Sequence, residues 1–378
     1  MRDKSRATMI RKMITRILYI FLLICLLFTS SLFSQDKEVG VSIFIDSKEI
    51  SSFTKVTTHS SNPVGLTIDE QNQLIFFDMP TDKVFSGYLI SADTITSSTA
   101  FSLIATVEQI NSATNKYGIN VTDIDAFKDD SIIIASNGEA NQFNGIISIS
   151  RGISPIIKVI TEVKGLSAIC VDRKSTPNII YTVKGNEVFI ISADTENGNL
   201  EKYFTLEHPI SDIAIDDDGN QIILYAEGSL SIDKLSKNKA KSTFIDETKI
   251  KSVDESVIKN VAIAIDKSDN SIYLYSLRKI DEGKISGIYT KFDKTGSMIL
   301  KLKDEQIRKA DDFEGMKNRN ELVISPAGKG MVIDAIGNLL VADGVTVGES
   351  KEEKNKHTFS IISISEISTS ATPWSAYK

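Results

Sequence analysis

Three histidines, two cysteines, one tryptophan and seven prolines are all that these 378 residues contain of those types. His59, His208 and His357 stand too far apart to make an HExxH helix, and two cysteines cannot supply a four-thiolate zinc site. No GxSxG, Walker A or dinucleotide-binding glycine pattern occurs. So few cysteines also exclude a disulfide scaffold. Cys170, set among apolar neighbours in Leu166–Val171, reads as a buried, unreactive core thiol. What remains is a globular composition, 41% hydrophobic and 25% charged, with enough chain for a large core.

Long apolar runs are equally scarce, and the one present lies at the N-terminus. Arg2, Lys4, Arg6, Arg11, Lys12 and Arg16 form a basic flank, Ile17–Phe28 is apolar, and Thr29-Ser30-Ser31-Leu32-Phe33-Ser34 follows. This is the pattern of a secretory signal peptide, with cleavage after Ser31 or after Ser34. Counted to Phe33 the run reaches 17 residues, the lower edge of a bilayer span, so an uncleaved anchor is the alternative. Cys25 does not make a lipidation site, because the large Ile24 precedes it and it lies inside the run. Residues 1–34 are therefore expected to be a signal peptide or anchor, and 35–378 a single secreted or periplasmic domain. Without 1–34 the chain carries 37 basic and 49 acidic residues, a net charge of −12. That field argues against nucleic acid as a partner and suits a cation or a basic protein. A monomer is expected, touching a membrane only through an uncleaved N-terminal segment.

Beyond residue 34 no long stretch has helical period. Short runs rich in Ile, Val, Phe and Tyr alternate with Asp/Asn/Gly/Ser turns, a strand signal. One pair of runs recurs: Gly65–Asp69 with Leu74–Asp78, Asp123–Phe127 with Ile132–Ser136, Ala168–Asp172 with Ile179–Val183, Asp212–Asp216 with Ile222–Ala226, Ala262–Asp266 with Ile272–Ser276, and Gly330–Asp334 with Leu339–Asp343. The corresponding positions 69, 127, 172, 216, 266 and 334 are 44 to 68 residues apart. Most pairs precede a third and a fourth strand candidate, such as Glu187–Ile191 with Tyr203–Leu206 or Ile288–Phe292 with Met298–Leu302. Four strands per unit predict an all-β, six-bladed β-propeller of four-stranded antiparallel blades. The sixth unit lacks a clear fourth strand and Val41–Ile45 lacks a partner. A ring must leave no open edge, so the N-terminal segment is expected to complete the last blade. The charged insertion Lys301–Asn320 reads as a short helix over one face, and Gly344–His357 as a long solvated hairpin.

The repeat resembles that of NHL-repeat and gluconolactonase-like six-bladed propellers, most clearly in Gly330-Met-Val-Ile-Asp-Ala-Ile-Gly-Asn-Leu-Leu-Val-Ala-Asp-Gly344. In the gluconolactonase-like enzymes this resemblance implies a central divalent metal held by a Glu, Asn residues and an Asp. Here Lys329 stands at the place of the acid, Ser61-Asn62-Pro63 replaces the first-blade Glu segment, and Asn260 lacks the usual following Gly.

Inner-strand positions supply the remaining candidate site. Asp123, Asp125 and Asp212 fall on the first strands of units two and four. Carboxylates converging on one channel repel unless a cation lies between them, so a divalent metal such as Ca²⁺ on these three is the sharper expectation. The alternative is that each accepts hydrogen bonds from its own loop. Asp216-Asp217-Asp218-Gly219 lacks the first ligand and bidentate Glu of an EF-hand and reads as a turn. Asn120-Val121-Thr122 is a glycosylation sequon. The leading expectation is a non-enzymatic module binding a protein or small molecule, and the alternative a metal-dependent lactonase or hydrolase with altered ligands.

Overall fold

The computed structural model describes residues 38–55, 62–79, 88–93, 100–127, 131–281, 284–307, 326–343 and 360–367. The expected N-terminal signal segment, the hairpin at 344–357 and most of the charged insertion lie outside them. The described ring belongs to the compact unit Val39–Glu366, and a second unit, Met1–Glu38 with Ile367–Ala371, is almost wholly outside the described residues. Among the described residues no helix is long and apolar enough to cross a membrane.

The chain starts with β1 (Glu38–Ile45) and helix α1 (Ser47–Thr54). Blade 1 follows as β2 (Pro63–Ile68), β3 (Gln73–Asp78), β4 (Tyr88–Asp93) and β5 (Phe101–Thr106), with α2 (Val107–Thr114) after it. Blade 2 is β6 (Val121–Ala126), β7 (Ile132–Asn137), β8 (Asn144–Ile149) and β9 (Ile157–Thr161). Blade 3 is β10 (Leu166–Asp172), β11 (Ile179–Lys184), β12 (Glu187–Ser192) and β13 (Glu201–Thr205). Blade 4 is β14 (Ile210–Ile215), β15 (Gln221–Tyr225), β16 (Ile232–Leu235) and β17 (Lys241–Ile245), then α3 (Glu247–Val253). Blade 5 is β18 (Val257–Asp266), β19 (Ser271–Asp281), β20 (Lys284–Phe292) and β21 (Met298–Lys303), then α4 (Asp304–Ile307). Blade 6 takes β22 (Pro326–Ile333), β23 (Leu339–Asp343) and β24 (Ser360–Ile367) from the chain's end, and β1 pairs outside β24 as its fourth strand. The six-bladed propeller and its closure by the N-terminal strand are thus as the sequence predicts.

The repeated Asp is a turn former. Asp69 accepts the N–H groups of Gln71 and Gln73, and Asp334 those of Ile336 and Asn338, all within 3.0 Å. Asp172, Asp216 and Asp266 likewise take Lys174, Asn220 and Ser268. A short polar side chain closing the backbone two and four residues on is why Asp recurs at the first-to-second strand turn of every blade but blade 2, which has Phe127 there. Asp216-Asp217-Asp218-Gly219 is one such turn, with Gly219 at φ 80° where an L side chain is disfavoured.

No single core holds the ring. Six apolar clusters each lie between two neighbouring blades: Ile75, Phe77 and Leu89 against Ile132, Ile134 and Ile147 between blades 1 and 2, for example, and Tyr273, Tyr275 and Tyr289 against Leu339, Val341 and Ile362 between blades 5 and 6. The closing cluster sets Ile45 of β1 and Ile50 of α1, both fully buried, against Leu74, Phe76, Leu340 and Ile361. Deleting residues 1–45 is therefore expected to open β24 as a free edge. Loss of Ile45 alone removes about 2–5 kcal/mol. The shortened chain should melt earlier and form concentration-dependent oligomers in size-exclusion chromatography. An unchanged melting point and a monomeric profile would contradict the closure.

Candidate functional site

Each blade's first strand pairs on one side only, so its other edge faces the axis. Such edges carry backbone N–H groups that need partners. Every first strand is bulged near one repeat position: at Val64/Leu66, Val121/Asp123, Leu166/Ala168, Ile210/Asp212, Asn260/Ala262 and Pro326/Met331. Bulges sharpen the twist and re-aim side chains. Gly65 fills the first bulge at φ 63°, and a Cβ there would come within 2.7 Å of Ile124 Cγ1. Only glycine lets blades 1 and 2 meet this closely.

The three aspartates singled out in the sequence all line the resulting channel, and all six of their oxygens accept backbone N–H groups. Asp123 takes its own neighbour Ile124 and, across the blade boundary, Ile169, both at 2.8 Å. Asp125 takes Ala126 and, across the boundary, Val171, both at 2.7 Å. Asp212 takes Ile213 and, from the next blade, Ile263, both at 2.9 Å. The two-residue spacing of Asp123 and Asp125 matches that of the edge N–H groups of Ile169 and Val171. Local capping was foreseen as an alternative; the bond to the following blade was not. Among the described residues no group of three His, Cys, Asp or Glu side chains is arranged to hold a metal. Asn260, fully buried, donates to the Leu230 carbonyl and accepts from Ser276, so its amide is engaged within its own surroundings.

These carboxylates share a cavity of about 670 Å³ whose lining comes from all six blades. Burial pushes Asp123 well above the ordinary carboxylate range, and the charges of Asp212 and Asp125 add to it against the two N–H bonds. Burial likewise pushes Asp212 up to about 6, held back by the Lys329 charge and by the N–H groups of Ile263 and Ile213. Lys329 occupies the bulge of β22 at φ 57°, a conformation costing a non-glycine residue about 1–2 kcal/mol. Its Nζ donates to the Val261 carbonyl at 2.7 Å. Where the family resemblance implies a metal-binding acid, an ammonium stands. It also borders a second cavity of about 350 Å³ with Thr122, Asn137 and Ser167. Cys170 lies in the same wall, buried and free, its thiol pushed up by burial and then by the channel carboxylates.

Sequence reasoning missed two cations at the turn end of this cavity. Arg173 of blade 3 donates through Nη2 to Asp125 Oδ1 at 2.9 Å and through Nη1 to the Ile68 carbonyl at 3.1 Å, so it braces blades 1, 2 and 3. Lys267 of blade 5 lines the cavity beside it and is solvent-exposed. The signal was available: each directly follows a repeat Asp. The sequon residue Asn120 is exposed, but its Nδ2 already donates to the Asn137 carbonyl at 2.9 Å.

No protein-family profile matches the chain, and no curated protein matches it at a significant level. Among solved structures, a Bacteroides thetaiotaomicron protein of unknown function is similar at a TM-score of 0.53 and 10% identity, over 87% of this chain and 77% of that one. A Bacteroides caccae protein of unknown function is similar at 0.43 and 12% identity, over 66% and 83%. A Xanthomonas campestris gluconolactonase is similar at 0.35 and 8% identity, over 65% and 88%. The resemblance to NHL-repeat and gluconolactonase-like propellers stands at the level of architecture.

The raised Asp212 has a consequence for stability. Its folded pKa of about 6 exceeds the unfolded 3.8, so the folded state holds the extra proton between them. Stability is greatest below the unfolded value and falls as pH rises through about 6, by on the order of 3 kcal/mol. Denaturant midpoints are expected to fall between pH 4 and pH 7, with a shallower slope in Asp212→Asn. Equal slopes in both proteins would remove Asp212 as the cause.

Proposed function

We propose that this protein is an extracytoplasmic, non-enzymatic β-propeller that binds a small ligand at the open end of its central channel. The observation that carries this reading is the cavity of about 670 Å³ to which every blade contributes, a size within the range of small-molecule sites. Its turn end mixes the apolar Ile265, Ile333 and Ile336 with Arg173, Lys267, Asp266 and Asp334. A few fixed polar groups on an apolar wall are what orient a ligand. The carboxylates deeper in the channel are engaged in joining blades. The Cys170 thiol is shifted away from its ionised form, the reverse of what a nucleophile needs. Export is supported by the basic flank and apolar run at residues 2–34.

Thermal-shift screening of the full chain against sugars, carboxylates, phosphates and polyamines, with and without chelator, tests the reading. At least one compound is expected to stabilise the protein equally in both conditions. Ala335→Trp, an exposed position on the cavity rim, is expected to abolish that response. Stabilisation by a divalent metal alone, lost in Asp212→Asn, would replace this reading with a metal-dependent lactonase or hydrolase. Mass spectrometry of protein recovered from its host should find an N-terminus between residues 32 and 35; an intact Met1 would point instead to an anchor.

A further inference from the structure

We infer that the mouth of the channel is an anion site, holding a small carboxylate or phosphate between Arg173 and Lys267; this rests on the cavity being a ligand site. In blades 3 and 5 the residues after the repeat Asp are Arg173 and Lys267. Both line the same cavity.

The acids around them already have partners. Asp125 is occupied by Ala126, Val171, Thr67 and Arg173 itself. Asp217 is paired with Lys174 at 2.5 Å. Asp266 turns into its own loop toward Ser268, and Asp334 toward Ile336 and Asn338. The cations divide differently. Lys329 is tied to Val261, and Lys291 lies over the Tyr273 ring at 4.8 Å. Arg173 is fixed as a brace. Lys267 alone among the cavity-lining cations has no hydrogen bond or ion pair within the described residues.

A fixed guanidinium and an unclaimed ammonium facing one concave space repel each other until an anion lies between them. The protein walls around the mouth, and after them the Arg173 charge, make the Lys267 ammonium less favourable than in open water, while Asp125 and Asp217 act the other way. An anion relieves both costs, and carboxylate and phosphate oxygens match both donors. The strongly acidic chain as a whole gives such a ligand no general attraction, so binding depends on these two side chains.

The test is thermal shift and calorimetric titration of the full chain with citrate and with inorganic phosphate, against sodium chloride at matched ionic strength. Maltose and spermidine serve as neutral and cationic probes. One of the two anions is expected to raise the melting point by about 3 °C or more at saturation. Lys267→Met is expected to weaken it at least about tenfold, with an unchanged circular-dichroism spectrum. Lys267→Arg should retain it, and so should Lys174→Met, which removes the lysine next to Arg173, already paired with Asp217. Anions no better than chloride, or equal binding by Lys267→Met, would overturn the inference. If maltose or spermidine stabilised the protein instead, the ligand-binding reading would survive without the anion. No response to any probe, here or in the wider panel, would overturn both.

Discussion

The architecture depends on one recurring bond, an aspartate carboxylate on one blade accepting a backbone N–H from the open edge of the next. A propeller leaves six strand edges facing its axis, where neighbouring strands have splayed too far for a ladder. A side chain of two carbons spans the gap. Asp123 and Asp125 together do this for two successive N–H groups of β10, and Asp212 for one of β18. Bulged strands, the glycine at 65 and the apolar clusters between blades bring the edges near enough for that reach.

The same bonds bring charge into a confined space. Burial pushes Asp123 and Asp212 toward their protonated forms, and at Asp123 the charges of Asp212 and Asp125 add to it. The channel offsets this from within its own chain, by Lys329 at the bulged end of β22 and Arg173 at the turn end. The cavity lining and the inter-blade bonds therefore draw on the same charges. A substitution among them changes both at once.

Much of the fold could be read from the sequence because the Asp-closed turn stamps a visible period on the chain. Blade 4 was the blind spot: its outer strands, Ile232–Leu235 and Lys241–Ile245, are short and rich in Lys and Ser, so alternation never accumulates. The short helices α1, α2 and α3 were missed for a similar reason, whereas α4 falls in the charged insertion where a helix was expected. Yet α2 announces itself by a capping box, Thr106 and Gln109 each bonding the other's backbone. At the site, Asp123 and Asp212 were legible as channel residues because they share a repeat position, and Asp125 because it lies two residues on along the same strand. Their use was not, since the partner N–H groups lie 46 to 51 residues away. Arg173 and Lys267 look like ordinary turn cations until the rim brings blades 3 and 5 together.

The pairing of β1 with β24 sets an order in time as well as in space. Ser365 Oγ meets the Gly40 carbonyl across 325 residues of sequence, whereas blades 1 to 5 are each four consecutive strands. Those blades can form as local hairpin units while synthesis continues, but β1 has no place to go until the last strand has been made. The first strand to emerge is thus among the last to fold.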